Sequence, residues 1–141
     1  MEIILKLNRW ANAHTNVVTD TLRVLFGIFI FYKGLLFLDE TEYLYNTLKP
    51  VVSGEGTYFV LVHYVALAHI CGGVFIAMGL ITRLAALAQL PILTGAVLIN
   101  FMGTMNVPGL VQASIGMALC AFFIFYGSGK HSVDHSLRLH M

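Results

Sequence analysis

Four stretches of the chain are nearly unbroken apolar runs: Thr21–Leu38, Tyr58–Leu80, Leu84–Met102 and Val107–Gly127. A helix needs about 20 such residues to cross the hydrocarbon of a bilayer. The pattern therefore predicts an all-α fold, a four-transmembrane-helix up-down bundle. The connections between the last three runs are short, which makes neighbouring helices antiparallel. Residues 1–141 read as one transmembrane domain. Several run ends carry helix signals. Thr15 and Thr19 are candidate caps for the first helix, and Asp20 suits its positive end. Asn106 followed by Pro108 reads as an N-cap with proline in the first turn of the fourth helix. Pro91, inside the third run, removes one backbone hydrogen bond, frees the Leu87 carbonyl and predicts a bend.

The segments outside the runs have patterns of their own. In residues 1–14, Ile3, Ile4, Leu7, Trp10 and Ala11 share one helical face, while Lys6, Asn8, Arg9 and Asn12 fall elsewhere. That predicts an amphipathic helix lying in the membrane interface with Trp10 as anchor; the competing reading is a frayed terminus. The segment lacks the small-residue cleavage site of a signal peptide. In the acidic stretch Asp39–Thr57, Leu44, Leu48, Val51 and Val52 fit a short helix resting on the membrane surface or a plain loop. Residues 128–141 form a tail.

Charge sharpens the picture. Charged residues make up 11% of the chain and hydrophobic ones 58%, against about 25% charged in soluble domains. This excludes a water-soluble domain and a disordered chain. A net charge of +1 leaves no basic patch for nucleic acid. Lys6, Arg9, Arg83, Lys130 and Arg138 fall on one side of the bundle. Lys49 stands alone on the other, beside Asp39, Glu40, Glu42 and Glu55. The bias of lysine and arginine toward the cytoplasm puts both termini inside and the acidic stretch outside.

A charge at the bilayer centre costs about 3 kcal/mol, so the polar residues within the runs need a reason. At about 1.5 Å per residue, Lys33, His63 and Gln112 each lie about 6–7 Å from the outer end of their helix. Asn100 lies nearer the edge. His69 and Gln89 form a deeper layer, about 17–18 Å in. One reading is a pocket that binds a polar head group through Lys33, His63, His69, Gln89 and Gln112. The other has Lys33 snorkelling to the interface and His63 and Gln112 bonding neighbouring helices. His69 has Ala66, Gly72 and Gly73 on or beside its face, small residues that let another helix approach, so it should point into the bundle. There it is either a structural donor or a proton-handling group. Arg23 can pair with Asp20 three residues earlier.

Other chemistries fit less well. Two axial histidines for a haem should come from different helices, and His63 and His69 share one. Cys71 and Cys120 fall at similar depths, as a redox pair or as two small core residues; a Cys-x-x-Cys motif is lacking. His131, His135 and His140 with Asp134 lack the spacing of a closed zinc site, so a solvated tail is expected and no metal.

Three motifs occur together: Arg23-x3-Gly27-x6-Gly34, then Gly72-Gly73-x5-Gly79-Leu80-Ile81-Thr82-Arg83-Leu84-Ala85-Ala86, then Gly127-Ser128-Gly129-Lys130-His131-Ser132-Val133-Asp134. Their order and spacing resemble the DoxX family of small four-helix bacterial membrane proteins, over Arg23 to Asp134. The family pattern often has a carboxylate where this chain has His69. The resemblance implies a multi-pass protein of the bacterial cytoplasmic membrane. It also implies association with redox chemistry, since some members resemble membrane subunits of thiosulfate:quinone oxidoreductase. It carries over no catalytic residues.

The expected function is a redox-associated membrane subunit that binds quinone or phospholipid without a covalent cofactor. Its partners would be membrane lipid and other membrane subunits or a second copy. A structural envelope subunit, an oligomeric transporter and a quinone-linked enzyme are the alternatives. The chain has no nucleotide loop, spaced metal site or Ser-His-Asp set to support catalysis alone.

Overall fold

The structure, a computed structural model, describes residues 17–49, 52–102, 106–129 and 132–136. The interfacial helix expected over residues 1–14, and Thr15, lie outside them. The elements are α1 (Val17–Asp39), α2 (Thr41–Leu48), α3 (Glu55–Met78), α4 (Thr82–Met102), α5 (Val107–Tyr126) and a single turn, α6 (Val133–Ser136). Helices α1, α3, α4 and α5 are long and apolar enough to span a membrane. They correspond to the four apolar runs. Their outward faces are studded with exposed Leu25, Ile28, Val60, Leu67, Leu84, Ile115 and Phe125. Such a surface suits lipid contact, and the protein is a multi-pass membrane protein. The short helix allowed for the acidic stretch is present as α2.

Local signals set the helix ends. Helix α3 stops at Gly79, which takes the left-handed conformation at φ 69°. Gly79 N–H donates to Ile76 O and Leu80 N–H to Phe75 O, the paired bonds of a Schellman C-terminus. The Asn106 side chain accepts from Gly109 N at 3.2 Å, with Pro108 in the first turn of α5. Helix α4 runs through Pro91 as one unbroken helix. Thr19 is not a cap. It lies inside α1, and its Oγ1 is 2.9 Å from the Tyr126 hydroxyl on α5.

The four spans pack as two pairs. Helix α1 lies along α3, and α4 along α5; α3 and α4 make a thinner contact between the pairs, and α1 and α5 touch little. Glycines bring the backbones of α1 and α3 together. A Cβ on Gly73 would lie 2.5 Å from Phe31 N, and one on Gly27 would lie 2.5 Å from Ala77 N. A Cβ on Gly34 would lie 2.8 Å from Ile70 N. Small residues of this kind drive helix association where no hydrophobic effect operates between helices.

The bundle is tight at the end that carries the C-terminal tail. Phe26, Ile30, Ile76, Ala86, Cys120 and Phe123 form the core there, and the Phe26 and Phe123 rings stack at 6.0 Å. Arg23, 2% exposed, donates from Nη1 to Ile76 O at 3.2 Å and Ala77 O at 3.3 Å. It thereby binds α1 to the end of α3. Asp20 and Asp134 both act on it electrostatically, so its environment is wider than the pairing with Asp20 read from spacing.

The tail was expected to be solvated, and this is corrected at Asp134 and Ser132, each 8% exposed. Gly127 (φ 83°) and Gly129 (φ 74°) turn the chain back onto the bundle. Asp134 Oδ1 then accepts from Ile81 N at 2.7 Å and Oδ2 from Thr82 N at 3.4 Å. The carboxylate satisfies amides that the start of α4 would leave bare.

Candidate functional site

Toward the opposite end, which carries α2, the helix pairs part and enclose a cavity of about 690 Å³. Ile30, Val62, Leu93 and Ala113 contribute one wall residue from each span, and Leu48 at the end of α2 and Val52 close one side. The lining is mostly apolar. Its polar residues are Lys33, Glu40, His69, Asn100, Asn106 and Gln112.

Lys33 does not snorkel outward. Its Nζ lies 5.9 Å from the centroid of the Phe29 ring, one turn deeper in the membrane. Helical side chains lean toward the N-terminus of their helix, and on α1 that direction is inward. Among the described residues no carboxylate forms a salt bridge with it. His69 is 3% exposed and stands edge-on to Phe37, with ring centroids 5.4 Å apart at 89°. It interacts with the Val65 backbone and with the Lys33 charge, but its Nδ1 makes no well-formed hydrogen bond among the described residues. The inward orientation expected from Ala66, Gly72 and Gly73 is the one found.

The remaining candidates divide. Gln112 is exposed and lies at the cavity's edge. Gln89 is fully buried between α3 and α4, where Nε2 donates to Ala68 O at 2.7 Å. Its place against Gly72 leaves no room for a Cβ there. Gln89 is not a lining residue, and its Oε1 has no partner among the described residues. His63 is off the cavity altogether. It is exposed on the outer face of α3, with its ring 4.0 Å from that of Phe59 and Nδ1 2.8 Å from Phe59 O. Lys33, His69 and Gln112 are thus brought together, with Gln89 behind the wall and His63 apart. Asn100, whose Nδ2 donates to Ala96 O at 2.7 Å, borders the cavity where α4 turns toward α5.

Phe29, Phe37 and Glu40 also line the cavity, and hydrophobicity alone gives them no distinction. Their signal is helical spacing: positions 29, 33 and 37 recur every four residues and mark one stripe of α1, which Glu40 continues just past its end. Gly95 is a second such residue. A Cβ there would meet nothing within 4 Å, so this glycine widens the cavity and serves no close packing.

Cys71 is exposed and Cys120 buried. Among the described residues no cluster of histidine, cysteine and carboxylate could hold a metal ion.

No curated protein and no solved structure matches the chain. A family model described as DoxX matches residues 18–102. The match takes in α1 to α4, with Lys33, His69, Gln89 and the glycines between α1 and α3, and stops before α5 and the tail. It covers more than half of the sequence, and the chain belongs to the DoxX family.

Proposed function

We propose that this protein is a membrane subunit of a redox-associated complex and that its cavity holds the head group of a quinone or a phospholipid. The observation that carries the reading is the cavity itself. Its volume of about 690 Å³ lies within the range of about 300–1,000 Å³ typical of ligand sites. Apolar walls suit a ring or acyl chain. Lys33 supplies a point charge with three donors for carbonyl or anionic oxygens, and His69 supplies a donor when the nitrogen facing the ligand carries the proton. Placing a half-buried lysine and a buried histidine within membrane-spanning helices without function is costly, which is why intramembrane ionisable residues point to sites. Lysine and arginine outside the spans favour cytoplasmic termini. In that orientation the cavity opens in the outer leaflet of the cytoplasmic membrane.

The test uses protein purified in nanodiscs formed from its native membrane. Bound quinone and phospholipid are extracted and quantified per chain. Gly95→Leu places a side chain into open space, so it should fill the cavity without displacing a neighbour. Bound ligand should fall several-fold in Gly95→Leu and in Lys33→Met, with unchanged helical circular dichroism. Loss of quinone supports the redox reading. Loss of phospholipid alone identifies a lipid site and removes quinone from the proposal. Unchanged ligand content in both variants overturns it and leaves a structural subunit.

A further inference from the structure

The two helix pairs are fastened to each other at one end. On the tail side Thr19 meets Tyr126 and Phe26 stacks on Phe123. Gln89 bonds Ala68 midway along the spans. Beyond that level the pairs separate around the cavity. Any rotation of one pair against the other must therefore pivot near the tail, where the turn between α3 and α4 joins them.

That turn is held from outside itself. Gly79 sits where three elements converge: a Cβ on it would collide with the Arg23 guanidinium from α1 and lie 2.6 Å from Ser132 Cβ in the tail. Asp134 N–H donates to Gly79 O at 3.1 Å, while its carboxylate takes the Ile81 and Thr82 amides. Ser132 Oγ donates to Gly129 O at 2.7 Å, which ties Ser132 to the turn at Gly129. Ile81 is the one non-glycine described residue at positive φ, 44°. A β-branched residue is strained there and stays only where its surroundings hold it. Its amide is the one that Asp134 binds most closely.

We propose that residues 132–134 are a clasp that sets the angle between the helix pairs, and thereby the width of the cavity at the far end. With the clasp closed, the end of α5 is tied to the α3–α4 turn and Ile81 is held in its strained conformation. With the clasp released, the turn relaxes, the pairs splay and the cavity opens. The lever is long. A helix of 20 residues spans about 30 Å, so a pivot of about 10° moves its far end by about 5 Å. The cavity's role as a ligand site is the reading given above, on which the regulatory meaning of the clasp rests. The hinge is measurable without ligand.

The experiment is pulsed electron–electron distance measurement on the whole chain, in nanodiscs of one synthetic phosphatidylcholine without quinone. Spin labels replace exposed Glu40, just past the end of α1, and exposed Val107 on α5, across the cavity mouth, in a Cys71→Ser background. A second label pair, at Glu40 and Glu55, reports the spacing within the α1–α3 pair. Asp134→Ala should lengthen the Glu40–Val107 distance by several ångströms and broaden its distribution, with Glu40–Glu55 unchanged. Asp134→Asn, which keeps the shape and loses the charge, should give a smaller shift in the same direction. Ser132→Ala gives a milder release if Asp134→Ala does not fold. Superimposable Glu40–Val107 distributions in the folded variants overturn the clasp, and so does equal broadening of both label pairs, which marks general loosening. Since no quinone is present, these distances stand or fall independently of the ligand content of Gly95→Leu.

Discussion

Replacing Gly73 with alanine tests the contact on which the first helix pair depends. The added Cβ would lie 2.5 Å from Phe31 N, 2.7 Å from Gly27 O and 2.8 Å from Phe31 Cα. Ordinary contact begins at 3.4 Å, so α1 must retreat by about 1 Å. All three obstacles are backbone atoms, and none can rotate aside. Retreat at Gly73 also loosens the approaches of Gly27 to Ala77 and Gly34 to Ile70 on the same interface. Overpacking of a fitted contact costs about 1–3 kcal/mol, and backbone obstruction puts this case at the upper end. Alanine returns up to about 1 kcal/mol through its better helix propensity. The net loss should be about 2 kcal/mol, a fall of about 30-fold in the folded-to-unfolded ratio. Gly95→Ala is the matched control: with open space around its Cβ it should be neutral or stabilising by about 0.5–1 kcal/mol. Equilibrium unfolding in mixed micelles, titrated with a denaturing detergent and followed by circular dichroism, measures both. Wild-type stability in Gly73→Ala, or equal losses in the two variants, would refute the close approach of α1 and α3.

Two further outcomes follow from the fold. Asn106→Ala removes the side chain that accepts from Gly109 N and should lower stability by about 1 kcal/mol in the same unfolding titration, the usual cost of losing an N-cap; Asn106→Asp should retain most of it. A cysteine at exposed Glu42, in a Cys71→Ser background, should react with an impermeant thiol reagent added to intact spheroplasts; labelling only after lysis would invert the proposed orientation.

The spans were legible in the sequence because hydrocarbon imposes one strong constraint, a run of apolar residues long enough to cross it. The Asn106-x-Pro108 cap was legible for the same reason of locality, since both residues act within one helical turn. The inward orientation of His69 could be read because small residues on its own helix mark the face that meets a neighbour. His63 shows where such reasoning stops. Its depth matches that of Lys33, but depth along a helix fixes nothing about rotation around the axis, and His63 faces outward. Lys33 and Gln112 reach the same cavity by a rotation that only packing decides. Asp134 was obscure for another reason. Its partners, Ile81 and Thr82, are more than fifty residues away, and the turns at Gly127 and Gly129 that bring it back act through backbone angles that hydrophobic patterning does not record. Thr19 likewise has the composition of a cap and the place of an interior residue, because its partner lies on α5.

The tail contact also orders events in time. Each close helix pair consists of consecutive spans, so α1 and α3 can associate as soon as both have entered the membrane, before α5 exists. Asp134 is made more than fifty residues after the end of α3. At about 5–20 residues per second, the α3–α4 turn waits several seconds with its amides uncapped. The Asp134 contact can therefore form only after all four spans have been made and the chain has turned back onto the bundle.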